Sequence, residues 1–359
     1  MGEIKVAIAG IGGCGSAIVQ GIYYYQNAKE DEFVPGLMHV KFGDYHIRDV
    51  KFVAAFDVNK EKIGKDLSEA IFAEPCYMAK IIEVPYLGVK VLPAPVLDGV
   101  APHMVEEFRC YDSEEMEAVN VAEELEKAKA DILVNLIPVG SREATRMYAE
   151  ACLDAGCAFI NCIPEFIASD ETWAKRFEEA GLPIAGDDIK SQLGATILHR
   201  TIADLMRARG LIIEETYQLN IGGDSDFLNM TVEERLSSKR ISKTEAVTSL
   251  IGKEIPTRIG PSDYVPFLGD QKICYIYARG RKFGDRPVRI DLKLSVEDSP
   301  NSAGVQIDAI RATKIALDRG VSGALTSISA YSFKHPPIQV PDHVARQWVE
   351  EFIEGKRER

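Results

Sequence analysis

The run Gly10-Ile11-Gly12-Gly13-Cys14-Gly15 stands between an apolar stretch, Ile4 to Ala9, and a helical pattern that begins at Ser16. A strand, a G-x-G-x-x-G turn and a helix, in that order, make a seat for a dinucleotide. Gly10 permits the tight turn, Gly12 lets a pyrophosphate reach the backbone, and Gly15 lets the helix pack closely on the strand. The unpaired N–H groups and dipole of the helix start hold the anion. Gly13, Cys14 and Ser16 complete this candidate cofactor-binding set. Asp57 ends the next apolar stretch, Val50 to Val58. An acid there bonds ribose hydroxyls and repels a 2′-phosphate, favouring NAD over NADP; the alternative is an acidic strand end with no ligand. Its spacing exceeds the usual ~20 residues after the turn because 27–49 reads as an insertion. Pro138-Val139-Gly140-Ser141 follows a third strand on the same side. Ser141 is either a cofactor contact or the cap of the helix expected over 142–155.

A second group of residues carries charge. Asp187 and Asp188 follow a short strand, Pro183 to Gly186, and precede Lys190-Ser191-Gln192. Two adjacent carboxylates there can hold a cation or orient a lysine, or they can start a helix whose dipole favours them. Lys239 and Lys243 are four apart and share a helix face. An anion between them would relieve their repulsion; a solvated charged face is the plainer explanation. Asp226, Lys272, Asp298 and Lys334 are unremarkable one by one. The six histidines show no metal-ligand spacing.

The elements that must position these residues alternate. Strands at 4–9, 50–58, 131–137 and 157–162 are interleaved with helices over 16–25, 116–130, 142–155 (stopped by Gly156) and 170–180 (capped by Ser169). That grammar predicts an α/β, Rossmann-type doubly wound parallel sheet. A long helix over 191–209 follows. After Gly210 the pattern turns to period two at 214–222, 273–278 and 288–296, as in antiparallel strands. Residues 231–236, 308–317 and 344–354 read as helices; 74–115 has no clear order. The expected division is a nucleotide-binding domain over 1–199, an inserted α+β domain over 200–307, and C-terminal helices over 308–359 that rejoin the first.

A net charge of −13 over 359 residues repels a phosphate backbone, and no basic stripe offsets it, which argues against nucleic-acid partners. No apolar run approaches the ~18 residues of a membrane span, and strand-forming residues from Ile4 onward leave no room for a signal peptide. Seven cysteines, an odd number without a CxxC pair, indicate neither a disulfide frame nor a zinc site. A cytoplasmic setting is expected.

Taken together, several strings resemble the myo-inositol-1-phosphate synthase family, in its shorter bacterial and archaeal branch. They include Val34-Pro35-Gly36-Leu37-Met38-His39-Val40, Gly186-Asp187-Asp188-Ile189-Lys190-Ser191-Gln192, Asp226-Phe227-Leu228-Asn229-Met230, Ser238-Lys239-Arg240-Ile241-Ser242-Lys243, Asp298-Ser299-Pro300-Asn301-Ser302-Ala303-Gly304 and Ser329-Ala330-Tyr331. The match runs nearly end to end, without the longer Asn-rich segments of eukaryotic members. The resemblance implies catalytic lysines at Lys239, Lys243, Lys272 and Lys334 and active-site aspartates at Asp188, Asp226 and Asp298. It adds Asp188 and Ser299 to the cofactor-binding residues. It also implies NAD, glucose 6-phosphate as substrate, an inserted catalytic and oligomerisation domain, a homotetramer, and an activating cation undecided between monovalent and divalent.

The implied chemistry oxidises C5 of glucose 6-phosphate, removes a proton from C6, closes the enolate on the C1 aldehyde and reduces C5 again. Ammonium groups stabilise the oxyanions where they develop. A desolvated lysine with a lowered pKa, or the substrate phosphate, supplies the base. In this division Lys272 and Lys334 polarise the C5 and C1 oxygens, Lys239 and Lys243 serve enolate and phosphate, and Asp226 and Asp298 set lysine protonation or relay protons. Two rivals are an ordinary two-domain NAD dehydrogenase, which would accumulate NADH, and a non-catalytic NAD-sensing protein, in which these charges would be idle.

Overall fold

The structure is a computed structural model that describes all residues except Met1, Ser113, Glu233, Glu234, Leu236, Gly252 and Lys253, and leaves aside the side chains of 237–240 and Leu250. The long stretches of Val, Ile and Ala expected to be strands are buried on both faces, as a parallel sheet requires. They form β1 (Ile4–Ala9), β4 (Val50–Asp57), β5 (Val91–Pro93), β6 (Ile132–Asn135), β7 (Ala158–Asn161) and β8 (Pro183–Ala185), joined by β13 (Gly323–Ala324). All neighbours are parallel, in the order β13-β8-β7-β6-β1-β4-β5. The chain leaves β1 toward β4 and β5, then returns to the other side at β6. That reversal opens a crevice beyond the C-terminal strand ends beside β1. The insertion at 27–49 holds a short hairpin, β2 (Lys41–Phe42) and β3 (Tyr45–His46), and a 3-10 turn at Ile47–Asp49.

Helices α1 (Gly13–Tyr25), α2 (Leu67–Ala70), α3 (Val121–Ala128), α4 (Arg142–Ala155) and α5 (Glu171–Glu179) connect these strands. Three details differ from expectation, each for a local reason. The α3 helix starts at 121, not 116, because the Asn120 side chain accepts from the N–H groups of Ala122 and Glu123. The cap of α5 is Asp170, which takes the N–H groups of Thr172 and Trp173, while Ser169 turns its hydroxyl to Asp187. Ser141 does not cap α4: Asp98 accepts from Glu143 and Ala144 at 2.8 and 2.9 Å. Gly156, with φ +68°, ends α4 where the sequence says it should.

Beyond α6 (Ala195–Ala208) lies a second sheet of β9 (Ile212–Gly222), β10 (Thr257–Tyr264), β11 (Gln271–Lys282) and β12 (Arg286–Glu297), in the order β10-β9-β11-β12. It is mixed rather than wholly antiparallel, since β10 runs parallel to β9. α7 (Ser225–Asn229) and α8 (Ser237–Ile251) lie between β9 and β10 in the chain. The helix expected over 231–236 falls partly outside the described residues. One sheet face packs on α6 through Ile202, Met206, Cys274, Ile276 and Ala278.

From the end of β12 the chain enters α9 (Asp298–Asp318), ten residues earlier than periodicity indicated. Its buried positions surround the helix, so it carries no amphipathic signal, and its middle lies against α1. Inside it Asp308 and Arg311 pair, Asp308 also accepts from Met38 N–H at 2.9 Å, and Arg311 donates to the Val40 carbonyl at 2.8 Å. These contacts tie the Val34–Val40 string down. α10 (Thr326–Ser332) and α11 (Asp342–Ile353) follow, and β13 pairs with β8 between α9 and α10. The position expected as a domain boundary, 307, is the interior of one continuous helix.

Candidate functional site

A cavity of about 260 Å³ runs along the C-terminal ends of β1, β4, β6, β7 and β8, lined there by Gly10, Asp57, Leu136, Cys162 and Asp188. Its floor at one end is the glycine turn. Gly10 has φ +88°, and a Cβ on it would lie 2.8 Å from the Leu136 backbone. A Cβ on Gly12 would meet nothing within 4 Å, so the space over this turn is open to a ligand that approaches the backbone. A Cβ on Gly13 would overlap the Ser299 hydroxyl, and one on Gly15 would press on Gly10 O at 3.1 Å. Such a cradle fits a dinucleotide pyrophosphate.

Asp57 reaches the cavity, and it is not an idle strand end. Its carboxylate accepts from Ile11 N–H at 2.7 Å and from Val58 and Asn59 N–H at 2.8 Å. The acid therefore fixes the turn it faces. Lys62, buried beside it, donates to the Ile11 carbonyl at 2.5 Å, so both polar groups of residue 11 are held from outside the turn. Lys62 is a site residue that spacing did not reveal, because nothing in the 60–66 stretch marks it. Cys14 and Pro138 line the cavity, and burial pushes the Cys14 thiol up to about 12. Ser16 and Ser141 do not: Ser16 is buried under Gln20, and Ser141 Oγ bonds the Pro138 and Gly99 carbonyls. Their expected contact with cofactor gives way to roles in shaping the turns.

At the other end the lining is charged. Asp188, at φ +61°, accepts Lys334 Nζ at 2.7 Å on one oxygen and Ser242 Oγ at 2.6 Å on the other. Lys334 also donates to the Ile189 carbonyl at 2.6 Å. Asp187, its neighbour, has a different task. Fully buried, it accepts from Asn161, Ser169 Oγ and the backbone N–H groups of Ile167, Ala168 and Ser169, while burial raises its carboxyl to about 6. The pair thus divides into a lysine partner and a loop anchor. Lys190 likewise points away, to the Ala330 carbonyl and Asp342, and burial lowers it to about 8.

Lys272 forms an ion pair with Asp298 at 2.8 Å, and its Nζ lies 5.7 Å from the centre of the Phe227 ring. Burial disfavours its charge, yet Asp298, Asp224 and Asp226 outweigh burial and hold the ammonium above the usual lysine range. The expected base is a lysine with a lowered pKa or the substrate phosphate; Lys272, expected instead to polarise an oxygen, is held in its cationic form. Asp224, which caps α7 by accepting from Phe227 N–H at 3.0 Å, rises to about 7 through burial and through Asp226 and Asp298. Asp226 and Lys243 also line the cavity. The Lys239 side chain lies outside the described residues. Ser299 joins the two ends: it is buried against Gly13, and its hydroxyl donates to Asp270 at 2.6 Å, one residue after Asp298. Asp270, raised to about 6 by burial, was missed because its partners stand 28 and 29 residues away.

A small pocket shares Ser191, Lys243, Lys272 and Lys334 with the main cavity and adds Gly194, Ala195, Thr196, Gln218 and Asn220. It opens on the start of α6, whose cap residue Gly194 makes no side-chain bond to the first N–H groups. Among the described residues no three His, Cys, Asp or Glu side chains come together as a metal site, no helix is long and apolar enough to cross a membrane, and all seven cysteines are free thiols.

Comparison with known proteins agrees with this geometry. The family model for myo-inositol-1-phosphate synthase matches residues 194–299. The chain is 54% identical over 361 residues to inositol-3-phosphate synthase of Mycolicibacterium smegmatis, covering 99% of both chains. It is 53% identical over 359 residues to the enzyme of that name from Corynebacterium glutamicum, covering 98% of both. A solved structure of a myo-inositol-1-phosphate synthase-related protein from Thermotoga maritima, 24% identical, shares the fold with a TM-score of 0.81 over 98% of both chains. Identity of 53–54% over nearly the whole of both chains, with a crevice at the strand ends edged by paired lysines, leaves one assignment: the chain belongs to the inositol-3-phosphate synthase family.

Proposed function

We propose that the chain converts D-glucose 6-phosphate to 1D-myo-inositol 3-phosphate, with NAD as a cofactor restored in every turnover. The observation that carries this reading is the small pocket, where a helix start and three lysines from separate elements meet at the edge of the nucleotide cavity. Uncapped N–H groups of α6 and the Lys243, Lys272 and Lys334 side chains suit a phosphate dianion. Gly10, Gly12, Gly13 and Asp57 would hold the dinucleotide, which when bound takes the C5 hydride and later returns it. Gly15 packs the helix, and Cys14, Pro138, Asp188 and Ser299 border the same ligand.

Within this reading Lys272, kept charged by Asp298, stabilises the oxygen at C5 as the ketone and its enolate develop charge. Lys334, held by Asp188, faces the C1 oxygen that becomes an alkoxide at ring closure. Lys243, with Lys239 one helical turn before it, serves the phosphate and the enolate. Neither Lys272, held cationic, nor Lys190, turned away, suits the role of base. The substrate phosphate can serve as the base for C6. Asp226 and Asp298 keep the ammonium groups charged. No described group nominates an activating cation.

The reading extends to organisation. Residues 1–199 with 308–359 make the nucleotide-binding part, which the β13–β8 pairing supports, and 200–307 the catalytic part. A homotetramer built through the second sheet is supported by exposed Leu219 and Tyr275 and by the twelve-residue edge strand β12. The free thiols support a cytoplasmic setting.

Incubation with NAD and glucose 6-phosphate tests the proposal. Inositol phosphate should form with no net NADH. An oxidised sugar accumulating with NADH would instead establish an ordinary dehydrogenase.

A further inference from the structure

Behind the small pocket a buried row of polar side chains runs between two backbone carbonyls. Asn220 bonds the Gly260 carbonyl at 2.8 Å and Gln218 at 3.2 Å; Gln218 bonds His199 Nδ1 at 3.2 Å; His199 Nε2 bonds Thr216 at 2.7 Å; Thr216 bonds the Tyr277 carbonyl at 2.6 Å. The row thus has five links, and each needs one proton. Both terminal carbonyls only accept. Each amide can donate along the row on one side only, whichever way it is flipped, and the threonine hydroxyl has a single proton. A neutral imidazole adds one more. That makes four protons for five links in every orientation, so one acceptor must face another. Only the imidazolium, with a proton on each nitrogen, closes the row.

Burial opposes that charge and lowers His199 to about 4, with the Gln218 bond acting weakly the other way. The charged and titratable groups on the elements around it work in the same direction or stand apart. Lys243 on α8, Lys272 on β11 and Lys334 edge the same pocket as Gln218 and Asn220, and Cys274 on β11 is held neutral by burial. Arg200, next on α6, is paired with Asp342; Glu214 and Glu215 of β9 are bound to Arg281 and to Arg279 and Tyr277. No carboxylate in this set is bonded to the ring. What would favour the imidazolium is negative charge in the pocket itself.

We propose that His199 is a positioning residue that takes a proton from solvent when an oxyanion enters the small pocket, completing the fifth hydrogen bond and fixing the Gln218 and Asn220 amides that line it. This rests on the reading of that pocket as the phosphate subsite. By linkage, anion affinity is level above the bound-state pKa of the ring and rises by up to about tenfold per pH unit as pH falls from that value toward the free-state value of about 4.

Calorimetric titration of the NAD-saturated protein with inorganic sulfate, which does not itself titrate near neutral pH, tests this in buffers of different ionisation enthalpy. The expected result is net proton uptake, approaching one per sulfate as pH is lowered through the bound-state value. The His199→Gln variant, which cannot take the proton, should still bind sulfate, without uptake, and should raise KM for glucose 6-phosphate more than it lowers kcat. Ring ¹⁵N shifts of the unsubstituted protein give the same answer without a variant: one histidine should move from the neutral to the imidazolium pattern on sulfate addition. Sulfate bound with no uptake and a neutral ring overturns the proposal, as does uptake that persists in His199→Gln. Failure of sulfate to bind overturns the subsite and the proposal together.

Discussion

The two ends of the cavity are built from different materials. The nucleotide end is made of backbone: a turn whose glycines make room, with its Ile11 peptide groups held by Asp57 and Lys62. The charged end is made of side chains, Lys272 with Asp298 and Lys334 with Asp188, carried by segments 26 and 146 residues apart. Backbone sites tolerate little change of shape and reveal themselves as short local patterns. Side-chain sites tolerate changes of neighbouring shape but not of charge, and their members have no fixed spacing.

The largest effect expected from this contrast is at Lys272. Replacing it by Ala removes the fixed cation and leaves Asp298, Asp224 and Asp226 facing one another. Product formation should fall by about 10²–10³ or more, the scale of one lost oxyanion donor, while NAD titration changes little. Equal losses in turnover and NAD affinity would erase the distinction between the ends. The mirror experiment is Gly12→Ala. Its Cβ has open space and the residue lies at φ −87°, so the melting temperature should hold while NAD affinity falls about tenfold or more. A variant that melts early would show the turn to be a structural joint first.

A subtler asymmetry concerns pH. Asp224 is raised to about 7 when folded and has its usual value near 4 when unfolded. Between those values the native state binds more protons, so this group makes stability fall as pH rises from about 4 to 7. Asp224→Asn keeps the α7 cap and should flatten that slope, measured by denaturant unfolding across the window. Smallest is Asp98→Ala, which strips the borrowed cap from α4 and should cost about 1 kcal/mol of stability with NAD binding retained.

The same contrast explains what could be read from the residues alone. β1, the glycine turn, Asp57 and α4 declare themselves through apolar runs, glycine spacing and a stop at Gly156, all local. β10 and α10 have weak periodicity and exist because of the elements they pack on. α9 escaped over its first ten residues because Pro300 and Gly304 there weaken the helical signal, and a helix buried on most sides has little polar face to give a period. Asp98 could not be foreseen as the cap of α4, since it stands 44 residues before the helix begins in a stretch without order. Lys239 and Lys243 are marked by their spacing, but Lys272 and Lys334 emerged only from family resemblance, because the contacts that select them over other lysines are long-range ion pairs. Lys62, Asp270 and His199 carried no signal of either kind.

The head of α9 carries one further consequence. Asp298, its first residue, engages Lys272, and Ser299, its second, rests on Gly13. Adjacent peptides therefore serve the two ends of the cavity. One residue inserted there would turn everything after it by about 100° about the helix axis, taking one of the two contacts off its partner whichever side it fell. An insertion in the β11–β12 hairpin loop would leave that joint undisturbed.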